Sequence, residues 1–177
     1  MQKSMDPNFD FNHTIDHWIA ALDQYSLVRL LAKPAPGKWS IGQVYMHVIS
    51  QTDYFLMQSK IAASTDDYRN EEMSPDAKSL FRRNEFPDVL LEGPPSNDHT
   101  PEPDGKEYLR NNLVRVKEEY SHASALISKS AFRGKAKHPG LGYFSAREWL
   151  QFADIHFRHH LRQKKRIDDF LKITFPD

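Results

Sequence analysis

A chain of 177 residues without cysteine is long enough to bury its own core, but it has no disulfide, thiolate ligand or cysteine nucleophile. Its 24 Lys+Arg balance its 24 Asp+Glu, so it lacks the cationic excess of a duplex-binding protein, and nucleic acid is not an expected partner. No stretch approaches the roughly 18 apolar residues that span a bilayer, and the MQKSMDPNFDF start has no apolar run for a signal peptide, so no membrane and a cytoplasmic location are expected.

The residues are read as one all-α domain, 1–177, with 1–8 outside the packed body. In the first predicted helix Phe11, Ile15, Trp18, Leu22 and Tyr25 recur at steps of three and four, one buried stripe. It stops near Lys33-Pro34-Ala35-Pro36-Gly37, where two prolines and a glycine oppose a helix. Ser40 opens the second helix with Gln43 three residues on, a capping box, and the pattern runs through Val44, Val48, Gln51 and Phe55 to about Ala63.

Residues 64–104 read as a long irregular connection, in which Ser74–Arg83 alone suggests a short helix and five of the 11 prolines fall between Pro87 and Pro103. A connection this long can return along the bundle and leave the second and third helices parallel. The third helix carries Leu109, Leu113, Val116, Tyr120, Ala123 and Ile127 on one stripe and ends before Gly134. After the HPGLGYF turn, a second capping box, Ser145 with Glu148, opens the fourth helix, which runs through Trp149, Phe152, His156, His160, Gln163, Ile167 and Phe170 and ends before Pro176. It would lie antiparallel to the second. No segment alternates with period two over a strand's length, so a four-helix bundle without a sheet is expected.

Nine histidines invite a metal reading, and each has a plainer alternative. His156 and His160 are four apart, on one helix face about 6 Å from each other, and they occupy the apolar stripe where leucine is expected. Burying two imidazoles there requires partners for their nitrogens, either hydrogen bonds or a shared metal. His47 lies two turns after Ser40; alone it reads as a packed or surface residue as readily as a third ligand. His13 and His17 share the i, i+4 spacing but straddle their stripe and read as a solvated first turn. His159 points about 100° from the neighbouring candidate His160, which makes it exposed or supporting. His138 belongs to a turn, and His99 and His122 read as surface residues.

Three stretches together resemble the DinB/YfiT superfamily of helical metalloproteins: KWSIGQVYMHVISQTDYF, HPGLGYFSAREWL and IHFRHHLRQ. They match the family's Trp-Ser/Thr with a histidine two turns into the second helix, its His-Pro approach to the last helix, and its closing His-x-x-x-His. The resemblance implies a four-helix bundle with a long connection after the second helix, with metal held by His47, His156 and His160. It also implies a bacillithiol-like thiol S-transferase or a metal-dependent hydrolase, and it allows for a homodimer. YfiT-like members usually have Trp before the first histidine of the final motif and His near the place of Gln163; here the residues are Ile155 and Gln163.

Three imidazoles without a fourth protein ligand describe an open site. The expected cofactor is one divalent transition metal, and zinc or nickel is the choice that the resemblance favours. Gln43, one turn before His47, and Gln163, three residues after His160, are candidates to hold an imidazole N–H or a bound ligand. The metal could stabilise the thiolate of an external small-molecule thiol for attack on an electrophilic substrate, or it could activate water. Hydrolysis usually wants a carboxylate base, and neither Asp53 nor Asp154 shares a helix face with its neighbouring ligand, which favours the transferase. A non-catalytic metal- or ligand-binding module is the third reading.

Overall fold

The computed structural model describes residues 7–88, 97 and 99–174, with the side chains of residues 7–10 and 173 left out. Four long helices build the body: α1 (Pro7–Leu22), α3 (Ile41–Ala62), α5 (Lys106–Lys129) and α6 (Ala146–Thr174). Two short helices, α2 (Leu27–Leu31) and α4 (Pro75–Arg83), and a hairpin of β1 (Lys135–His138) and β2 (Gly142–Ser145) lie in the connections. The protein is an all-α helical bundle, and no helix among the described residues is long and apolar enough to cross a membrane.

Side-chain pairs give the directions. Asp16 pairs with Lys117 and Asp23 with Arg110, so α1 and α5 are antiparallel. Asp53 pairs with Arg115 and Lys60 with Glu119, so α3 and α5 are parallel, the arrangement expected from the long connection. That connection returns to the start of α3, where Ser40 Oγ donates to Glu102 Oε2 at 2.6 Å. Gly42 is required there: a Cβ would stand 2.8 Å from Pro103 Cδ and 2.9 Å from the Leu30 carbonyl oxygen. Helix α6 is parallel to α1 and antiparallel to α3.

The predicted stripes form the core. Phe11 stacks on Tyr120 at 3.8 Å between centroids, and Phe157 meets both Phe11 and Trp18 edge-on. A second aromatic cluster of Phe55, Phe144, Trp149 and Phe152 fills the space between α3, β2 and α6. Between α1 and α6, the buried Lys164 donates to Asp168 Oδ2 at 2.7 Å and sits 5.3 Å from the Tyr25 ring centroid. The Tyr25 hydroxyl also donates to Asp168.

Three expectations need adjusting. The first stripe is split: α1 ends at Leu22, and α2 restarts behind the cap Ser26, whose Oγ accepts from the Arg29 amide at 3.3 Å. Tyr25 is still buried, because the intervening turn keeps its side chain on the core. A two-stranded sheet also exists where none was expected. Its strands are four residues each and only Ala136↔Phe144 points into the core, too short a run to show period two. Gly142 at φ 84 makes the turn, and its amide edge meets Met73. Helix α1 also takes in residues 7 and 8, while the rest of the 1–8 segment, and residues 89–96 and 98 of the long connection, lie outside the described residues. The short helix expected at Ser74–Arg83 is α4, with Ser74 as its cap.

Candidate metal centre

The site begins at the capping box of α3. The Gln43 amide donates to Ser40 Oγ at 3.0 Å and the Ser40 amide to Gln43 Oε1 at 3.1 Å, fixing where the helix starts. One turn on, His47 faces α6, and the antiparallel packing brings it to His156 and His160. Its ring centroid is 5.1 Å from that of His156 and 4.8 Å from that of His160. The centroids of the α6 pair are 4.5 Å apart. All three are buried, and one nitrogen from each lies within 4.8 Å of the others. Trp39 covers His47 at 4.9 Å and Phe55 meets His156 edge-on at 5.3 Å.

This donor set suits a divalent transition metal. His156 Nε2 and His160 Nε2 are 3.2 Å apart, close to the roughly 3.3 Å edge of a tetrahedron with metal–nitrogen bonds of about 2.0–2.1 Å. His160 Nδ1 donates to Gln163 Oε1 at 2.8 Å, which leaves its Nε2 lone pair free. His156 Nδ1 is buried without a hydrogen-bond partner among the described residues. If His156 Nε2–H donates to His160, that Nδ1 is a buried acceptor without a donor. If instead Nδ1 carries the proton, two nitrogen lone pairs face each other at 3.2 Å, an arrangement that a cation relieves.

Burial keeps these rings neutral. It pushes His47 down to about 4, helped by repulsion from His159. It pushes His160 down to about 3, with His47 adding and the Gln163 bond opposing. His156 is held well below the ordinary imidazole range by burial first and by His160 and His47 next. Neutral imidazole is the form that ligates a metal.

The other candidates are placed elsewhere. Gln43 is turned to the backbone, with Oε1 on the Ser40 amide and Nε2 donating to the Thr100 carbonyl at 2.6 Å. Gln163 bonds His160. Asp154 accepts from Thr14 at 2.8 Å and from Arg158 at 2.8 Å, and Asp53 accepts both Arg115 terminal nitrogens, so both carboxylates are engaged away from the imidazoles. His13, His17, His99 and His122 are exposed.

Two histidines do more than their positions suggested. His138 Nδ1 accepts from the Gly140 amide at 3.2 Å, the turn role expected, but its ring also packs on Trp149 and Phe152 behind His156. His159 is half-buried, 5.1 Å from the His160 ring, under Phe86 at 4.7 Å. Phe86 had no sequence signal, because it lies in the irregular connection.

The family model of the DinB superfamily matches residues 10–163. No curated protein and no solved structure matches the chain.

Proposed function

We propose that this chain, which belongs to the DinB superfamily, is a metal-dependent S-transferase that uses His47, His156 and His160 to hold one divalent ion, zinc or nickel. The observation that carries the reading is the buried convergence of three neutral imidazoles within 4.8 Å, with no carboxylate or fourth histidine in the cluster among the described residues. A donor set of three leaves a position for a ligand, whereas closed structural zinc sites use four protein ligands. When bound, the metal supplies Lewis-acid stabilisation of an anionic sulfur or oxygen.

The chain's own residues support the thiol version. Without cysteine the sulfur nucleophile must be external, a low-molecular-weight thiol of the bacillithiol kind. Gln163 orients His160 through Nδ1, and Trp39 and Phe55 wall the imidazoles against water. Hydrolysis is less well served, because Asp53 and Asp154 are committed to arginine and threonine partners.

Protein purified without chelator or histidine tag should carry close to one transition metal per chain by elemental analysis. His156→Ala and His160→Ala should lose it, whereas His13→Ala, at an exposed position, should keep it. The loaded protein should conjugate a small thiol to monochlorobimane, because metal makes thiolate available near neutral pH, where a free thiol of pKa about 8.5 is a few per cent ionised. Full metal retention by the His156→Ala/His160→Ala double variant would refute the site. Metal-dependent hydrolysis of an activated ester without conjugation would replace the transferase with a hydrolase. Tight metal binding without either activity would leave a binding module.

A further inference from the structure

The end of the bundle remote from the three histidines carries a cavity of about 330 Å³, where the last residues of α3 and α5 meet the 130–134 loop and the first residues of α6. Ala62 lies well past His47 along α3 and Ala146 well before His156 along α6, so the cavity is about 15–22 Å from that centre along the helix axes. The buried rings of Phe55, Trp149 and Phe152 stand between the two.

The wall of this cavity is fixed by its own backbone. Ser130 Oγ donates to the Ala63 carbonyl at 2.6 Å and accepts from the Phe132 amide at 3.1 Å. The Arg133 amide donates to Asp66 Oδ1 at 2.9 Å and the Gly134 amide to the Thr65 carbonyl at 2.7 Å. A Cβ at Gly134 would stand 2.3 Å from that carbonyl oxygen, so only glycine lets the loop close on the end of α3.

Arg133 from the loop and Arg147 from α6 line the cavity together, with Ala63, Ile127 and Phe132 giving it an apolar side. Both arginine side chains are exposed and make no hydrogen bond or ion pair among the described residues. No Asp or Glu is in the lining among the described residues. The acids beside the two arginines are spent on backbone amides, Asp66 on Arg133 and Glu148 on Ser145 at 2.7 Å. Two cations in one concave surface without a counter-charge concentrate anions there. A carboxylate offers one charge and one edge, whereas a phosphoryl group offers three oxygens and up to two charges, enough to meet two guanidinium forks at once. The volume is at the lower bound of the roughly 300–1,000 Å³ that holds a small organic molecule, and the apolar side suits the body of one.

We propose that this cavity is a second ligand site, in which Arg133 and Arg147 bind the phosphoryl group of a small organic phosphate and Phe132 covers its apolar part. It stands independently of the metal reading, because none of its lining residues is near the three imidazoles.

The test is isothermal titration of the full-length protein at low salt with phenyl phosphate, inorganic phosphate and benzoate. Phenyl phosphate should bind more tightly than inorganic phosphate, and about tenfold more tightly than benzoate, the value of one further charge-assisted contact. Arg133→Gln and Arg147→Gln should each weaken phenyl phosphate about tenfold, and Phe132→Ala should remove its advantage over inorganic phosphate. Added salt should lower every affinity. Both glutamine variants alter exposed side chains and should keep the urea midpoint of the unaltered protein. Chelator-treated, dialysed protein should bind as tightly as zinc-loaded protein, so a failed metal site leaves the result readable. Absence of phenyl phosphate binding below about 10 mM, or an unchanged affinity in the Arg133→Gln/Arg147→Gln double variant, overturns the site. Benzoate bound as tightly as phenyl phosphate overturns the phosphate assignment. Loss of binding on metal removal puts the phosphate at the histidines and overturns the second site while supporting the first.

Discussion

Mild acid should destabilise the metal-free protein through the same rings that would bind metal. In an unfolded chain an imidazole titrates near 6.5, whereas in the fold burial lowers His47 to about 4, His160 to about 3 and His156 well below its ordinary range. Between pH 6.5 and about 4 the unfolded chain therefore binds protons that the folded chain refuses, and stability falls as pH drops across that window. From pH 6.5 to 5.5 each ring contributes about 1 kcal/mol of loss, so the three together remove about 3 kcal/mol, a large part of the roughly 5–15 kcal/mol that holds a domain together. His138 and His159, also lowered to about 4 by burial, act in the same sense. The assay is urea unfolding of chelator-treated protein at a series of pH values. Its midpoint should fall steadily below pH 6.5, and saturating zinc should restore it, because bound metal keeps the rings deprotonated. His47→Gln removes one titrating ring and should cut the loss by about 1 kcal/mol. A midpoint that stays level from pH 7 to 5.5, or an unchanged slope in His47→Gln, would refute the argument that buried neutral imidazoles set acid stability.

Two further outcomes follow from partners around the site. Gln163→Leu keeps most of the side-chain volume but removes the acceptor for His160 Nδ1–H; metal affinity by competition with a chelator should fall about 10–100-fold, and an unchanged affinity would show that Gln163 does not orient the ring. Asp168→Ala strands the buried Lys164 ammonium and should cost about 3 kcal/mol in chemical unfolding, at the low end for a buried pair because Asp168 is partly exposed; Lys164→Met/Asp168→Leu together should lie within about 1 kcal/mol of the unaltered protein, and additive losses would contradict that account.

The helices were legible because each carries its own instructions. The stripes in α1, α3, α5 and α6 bury the predicted residues except Gln51, Gln163 and Phe170, which are half-buried, and Ser40 with Gln43 and Ser145 with Glu148 form the reciprocal backbone bonds their spacing suggested. His156 and His160 were visible as a pair because i, i+4 geometry is local to one helix. Gln163 lay within the same turn, and its bond to His160 needs nothing beyond that helix. What the sequence could not decide is whatever depends on a second element. His47 reaches the pair only because α3 and α6 are antiparallel and in a register that sets Phe55 against Phe152 and His47 against His160. Gln43 had the right spacing to serve His47, yet packing against the returning chain gave its amide to the Thr100 carbonyl. Phe86 came to cover His159 through a connection whose path no periodicity describes, and the hairpin formed because one buried pair, Ala136 and Phe144, closes the core beside Trp149. Periodicity and caps act over a few residues and are written in the order of the chain. Register between helices is set by side chains far apart in sequence, so the third imidazole and the surroundings of the site took shape only in the folded protein.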